Sequence, residues 1–123
     1  MALIKVVKSL RFGSSPPRSA DKYNGNGEHL MLIFEWDPKK AETNLKKHGV
    51  SFEEASTAFK DPLSLTIDDP LHSSDEERLI LIGMSYNNRM LVIVHSVSGD
   101  NIRIISARKA TKKERNYYET DVQ

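Results

Sequence analysis

Three apolar runs joined by two tight-turn dipeptides set the strongest limit on the fold. Residues 78–85, 89–97 and 101–107 are rich in Ile, Leu and Val, and Asn87-Asn88 and Gly99-Asp100 separate them. The first pair suits a type I′ turn and the second a type II′ turn, so the spacing predicts two consecutive antiparallel hairpins. With two-residue loops, Ser96 stands opposite Arg103 and Leu79, and His95 opposite Ile104 and Ile80. Side chains at even spacing share a face. Glu77, Ser96 and Arg103 are therefore expected on one face, and Arg78, His95 and Val97 on the other. A one-residue slip in either hairpin reverses these facings.

The remaining elements surround this meander. Residues 32–36 read as a first strand, and Asp37-Pro38 supplies an N-cap and a first-turn proline. The following helix carries Ala41, Leu45 and His48 on one stripe, has Lys46, Lys47 and His48 in its last turn, and stops at Gly49. Ser51-Phe52-Glu53-Glu54 has the form of a capping box, and Phe52, Ala55 and Phe59 give a second helix its apolar stripe. Asp61-Pro62 ends it. Leu63, Leu65 and Ile67 alternate with Ser64 and Thr66 as a half-buried strand does. An acidic loop with His72 follows. Thr111-Lys112-Lys113-Glu114 opens a C-terminal helix. The order is βααββββα, an α+β domain with a mainly antiparallel sheet.

At 123 residues the chain has the size of one domain. Residues 1–30 are set apart as a flexible N-terminal extension, because Ser14-Ser15-Pro16-Pro17 and Asn24-Gly25-Asn26-Gly27 are turn formers with little apolar content. Residues 31–123 form the domain. The absence of cysteine excludes disulfides and thiolate metal sites and fits a reducing cytoplasm. No apolar run approaches a membrane span. The net charge of +1 is unevenly laid out: residues 31–123 carry thirteen basic and fifteen acidic side chains. Residues 103–115 nonetheless hold six Lys or Arg against one acid. Only a local basic surface is on offer, suited to a phosphate backbone or to an acidic partner.

No Gly-rich phosphate loop follows Gly27, and His48, His72 and His95 are too scattered for a metal site, so no metal or cofactor is expected. The side chains that remain suit RNA cleavage. That reaction needs a base for the ribose 2′-hydroxyl, a cation for the phosphorane and an acid for the departing 5′-oxygen. Arg103 or Arg108 could hold the phosphate in bidentate fashion. Glu77 or His48 could be the base, and His48, Lys47 or Tyr118 the acid. Each also has a structural reading: a dipole-stabilised helix end for His48, a cross-strand ion pair for Glu77 and Arg103, a core residue for Tyr118.

Several motifs, in order, resemble the BrnT family of toxins. They are Phe34-Glu35-Trp36-Asp37, then Lys40, Asn44 and Lys47-His48-Gly49-Val50, then Phe52-Glu53-Glu54-Ala55. Glu77-Arg78 with Ile82-Gly83, and residues 103–108 with Glu114-Arg115 and Tyr118, continue the likeness. The resemblance implies a RelE-like fold and a type II toxin that cleaves RNA and arrests growth. It also implies a cognate BrnA-like antitoxin that covers the toxin and binds operator DNA as a complex. The polar motif positions it carries over are Lys47, His48, Glu77, Arg78, Arg103 and Arg108. The extension over residues 1–30 is no part of the family pattern, and Val97-Ser98 stands where members often have charged residues. Two other functions fit the same chain: a non-catalytic antitoxin-binding co-repressor and an RNA-binding domain.

Overall fold

In a computed structural model, residues 4–9, 31–69 and 78–121 are described. Among these described residues, six strands form one mixed sheet in the order β1-β2-β6-β5-β4-β3. They are β1 (Ile4–Ser9), β2 (Met31–Trp36), β3 (Leu65–Asp68), β4 (Arg78–Met84), β5 (Met90–Ser98) and β6 (Asn101–Lys109). The helices are α1 (Pro38–His48), α2 (Phe52–Thr57) and α3 (Lys112–Asp121), with a 3₁₀ turn over Ala58–Lys60. The α+β class and the order of elements from residue 31 onward agree with expectation. Within residues 1–30, expected to lie outside the fold, β1 is laid antiparallel along β2. β2 in turn runs parallel to β6, which makes the sheet mixed.

The sheet has helices on both faces. α1 and α2 cover one face over a core of Phe34, Trp36, Phe52, Phe59, Leu91, Ile93, Ile104 and Ala107. Phe34 and Phe59 meet edge to face, as do Trp36 and Phe52. His95 belongs to this core, with its ring edge-on to Phe59, and burial pushes its pKa down. On the other face α3 supplies Tyr118, which packs with Ile82, Met90 and Val92.

Two local features replace the expected register. The β4–β5 hairpin has a three-residue loop, because Ser85 rather than Tyr86 is bonded across to Arg89. Asn88 adopts φ 59°, the left-handed residue that closes such a loop. Arg78, not Leu79, therefore stands opposite Ser96, and Leu79 opposite His95. The β5–β6 hairpin does follow expectation, with Gly99 at φ 60° and Ser96 opposite Arg103. A bulge between Val94 and His95 then lets β6 take one extra residue, Ile105. The bulge returns Arg108 to the same face as Arg103.

α1 also differs from its expected stripe. Leu45 is half exposed, and the buried position is Asn44. β2 leaves the sheet after Trp36, so the β6 edge beyond Arg103 would be unpaired there. The Asn44 amide takes the place of a strand: its Oδ1 accepts from Ala107 N at 3.1 Å and its Nδ2 donates to Ala107 O at 2.8 Å. The same Nδ2 donates to Val50 O at 3.0 Å, tying in the α1–α2 turn. At α2 the capping box is half formed. Ser51 Oγ accepts from Glu54 N, but the buried Glu54 carboxylate is turned toward Arg89 and Ser85 instead. That ion pair holds the Glu54 carboxyl below the usual range, and it pins α2 to the β4–β5 loop. Leu63, expected in β3, is exposed in the turn that Asp61 organises.

Replacing Asn44 by Ala leaves the Ala107 N–H and C=O without their partner in a dry setting. Each such group costs about 1–3 kcal/mol. Asn44→Ala is therefore expected to destabilise by about 3 kcal/mol in urea unfolding, whereas Leu45→Ala, on the exposed side, changes stability by less than about 1 kcal/mol.

Candidate active site

The region of interest follows from where β2 and β6 part. Their parallel pairing runs only over Ile33–Glu35 against Asn101–Arg103. Asp37 then caps α1, accepting from Lys39 N at 2.9 Å, and Pro38 turns the chain away. Two hollows flank the point of divergence. One, of about 300 Å³, is lined by Glu35, Ser96, Ser98, Asn101 and Arg103. The other, of about 380 Å³, is lined by Asp37, Lys39, Lys40, Thr43, Asn44, Lys47, His48, Ile105 and Ser106. Lys40, Asn44, Lys47 and His48 are one stripe of α1 at three- and four-residue spacing. Glu35 to Asp37, and Arg103 to Ile105, is two residues, about 7 Å along each strand. The hollows are thus neighbours along β6.

The first hollow lies on the sheet face that α3 only half covers. Register places Glu35, Arg103, Ser96 and Arg78 side by side on four adjacent strands, forming a polar row across that face. Tyr118 and its apolar neighbours close the same face toward the other end of the strands. Arg103 is exposed and Glu35 half-buried. Arg78 is half-buried at the start of β4 and is engaged by a further contact.

The site residues expected from sequence thus separate into groups. Arg103 and Arg78 come together across Ser96, on one face rather than on opposite ones, because of the slipped hairpin loop. Lys47 and His48 sit together in the second hollow, beside the bulge. Glu77, and with it the histidine of the acidic loop, lies outside the described residues.

Arg108 is tied elsewhere. Its guanidinium donates to both oxygens of Glu114, at 2.8 and 2.7 Å. Glu114 also accepts from Thr111 N, and Thr111 Oγ1 accepts from Glu114 N, completing the expected capping box of α3. The Arg108 guanidinium, outweighing the cost of partial burial, brings the Glu114 carboxyl down to about 2. Arg108 therefore anchors the start of α3. Tyr118 anchors its later part: the hydroxyl donates to Asp61 Oδ2 at 2.8 Å. Burial first, and Asp61 second, push that phenol up to about 12, so it does not release a proton readily as a general acid would.

Sequence reasoning assigned no site role to Glu35 or Asn44. A hydrophobic stripe gives no weight to an amide, and a strand-end glutamate beside an arginine is visible only once the parallel pairing is known.

The ribonuclease toxin BrnT of type II toxin–antitoxin systems is the family whose model matches this chain, over residues 36–114. A crystal structure of the Brucella abortus ribonuclease toxin BrnT is similar over 63% of this chain and 94% of that chain. Its identity is 25% and its TM-score 0.46. No curated protein matches.

The Arg108–Glu114 pair predicts a pH-dependent anchor. The Glu114 value is depressed on folding, so the stabilisation is present above the unfolded value of 4.5 and is lost as pH falls through about 2. Both side chains are partly exposed, which limits the pair to about 1 kcal/mol. Glu114→Gln should be less stable than wild type by that amount at pH 7 in urea unfolding. The difference should shrink as the pH falls toward 2 and vanish only below it.

Proposed function

The chain belongs to the BrnT family of ribonuclease toxins of type II toxin–antitoxin systems, and from that premise we propose that it is a metal-independent endoribonuclease working on the open half of its sheet face. The observation that carries this reading is the position of Arg103. Its guanidinium stands exposed on a polar hollow with Ser96, Ser98, Asn101 and Glu35, beyond the reach of α3. A guanidinium can bind two phosphate oxygens at once and stabilise the charge that builds on the phosphorane.

In the proposed reaction the ribose 2′-oxygen attacks the adjacent phosphorus and the bond from phosphorus to the 5′-oxygen breaks. The 2′-proton passes to a base and the 5′-oxygen takes a proton from an acid. The products are a 2′,3′-cyclic phosphate and a 5′-hydroxyl. Arg103 holds the phosphate, with Arg78 one strand beyond Ser96 in the same row. Lys47 and His48, in the hollow that α1 forms with Ile105 and Ser106, supply the acid. Arg108 takes no part in the chemistry. It holds the helix that bounds the site.

The same reading places the toxin domain at residues 31–123, with a RelE-like arrangement, acting in the cytoplasm. A type II toxin has an antitoxin. The BrnA-like partner implied by the motifs would cover the open half-face, and operator DNA would be bound only through that complex. Among the described residues no helix is long and apolar enough to cross a membrane.

Inducible expression should arrest growth, and co-expression of the adjacent antitoxin gene should relieve it. Arg103→Ala should lower RNA cleavage by about 10²–10³-fold and leave the melting temperature unchanged, since Arg103 is exposed. A folded Arg103→Ala variant that kept full toxicity would remove the phosphate role. Tight antitoxin binding without cleavage at any protein concentration would favour the co-repressor function instead.

A further inference from the structure

We infer that Glu35 is the general base of the cleavage reaction, acting on the ribose 2′-hydroxyl beside the phosphate held by Arg103. The inference rests on the ribonuclease reading above. The ribose 2′-oxygen and the phosphate it attacks are borne on adjacent ring carbons, so base and cation must rise from neighbouring positions on one surface. Glu35 and Arg103 meet that condition. They are direct partners in the parallel β2–β6 ladder, on strands about 4.8 Å apart. Both line the same polar hollow, where Ser96, Ser98 and Asn101 offer hydroxyl and amide groups to a sugar and a phosphate.

Glu35 is the carboxylate that lines this hollow, and several carboxylates elsewhere are already engaged. Glu54 is bound to Arg89 and Ser85, and Glu114 to Arg108. Asp61 accepts from Tyr118, Met84 N and Leu63 N, and Asp37 caps α1. Among the described residues, Glu35 has no side-chain hydrogen bond or ion pair, although a guanidinium stands on the next strand. A half-buried carboxylate left open to a hollow is placed to accept a proton from a ligand. The balance is simple: the 2′-proton moves to a Glu35 oxygen as the 2′-oxygen bonds to phosphorus. The bond to the 5′-oxygen breaks, and that oxygen is protonated from the Lys47–His48 side.

Single-turnover cleavage of a short RNA by the full chain, followed from pH 4 to 9, separates this inference from the reading beneath it. Wild type should show an acidic limb from a carboxylate that must be ionised. Glu35→Gln should lose about 10²–10⁴-fold in rate, lose the acidic limb, and keep RNA affinity within a few-fold and an unchanged melting temperature. Glu35→Asp keeps the carboxylate and should retain the limb with an intermediate rate; it carries the test if the Gln variant does not fold. A Glu35→Gln enzyme at wild-type rate, or one slowed with the limb intact, overturns the assignment in favour of a positioning or charge-balancing role. A wild-type chain that cleaves no RNA at any pH overturns the ribonuclease reading itself.

Discussion

The structure depends on one side-chain amide standing in for a strand. Asn44 bonds both backbone groups of Ala107 and the carbonyl of Val50, and thereby joins α1, the α1–α2 turn and β6. Without it, β6 would have a bare edge where β2 leaves the sheet, because the parallel β2–β6 pairing lasts only three residues. A buried edge with open N–H and C=O groups is costly, so the departure of β2 and the burial of Asn44 are a single arrangement. The divergence is also what opens the two hollows beside β6. Fold and candidate site thus share one cause.

The second organising constraint is the unequal cover on the α3 face. α3 is anchored at its start by Arg108–Glu114 and later by Tyr118–Asp61, and it seals the end of the sheet where Ile82, Met90 and Val92 lie. The opposite end of that face keeps a polar row from Glu35 through Arg103 and Ser96 to Arg78. The basic cluster of residues 103–115 is therefore not one surface. Arg103 looks into a hollow, Arg108 is consumed in a helix anchor, and Lys112 and Lys113 are exposed on the first turn of α3.

Much of this was legible in the sequence, and the exceptions have physical reasons. The order of elements from residue 31 onward, the caps at Asp37, Ser51 and Thr111, the Gly49 stop and the β5–β6 hairpin all follow from local chemistry. The β4–β5 hairpin does not: an Asn-Asn pair serves a two-residue loop or a three-residue loop with Asn88 left-handed, and the choice moves Arg78 to the other face. The bulge at Ile105 and the burial of Asn44 in place of Leu45 are tertiary choices, set by where β2 ends. Hydrophobic periodicity counts an asparagine as surface, so it missed the residue on which the edge depends. The half-formed capping box at Glu54 is another case, since a partly exposed arginine partner outbids a backbone N–H for the buried carboxylate.

The central claim is that the side chains on the open half-face carry out RNA transesterification themselves. The chemistry of the RNA ends tests it most directly. Purified protein, incubated with RNA in EDTA, should leave 2′,3′-cyclic phosphate and 5′-hydroxyl ends. Products with 3′-hydroxyl and 5′-phosphate ends, formed only when a divalent metal is restored, would contradict the account.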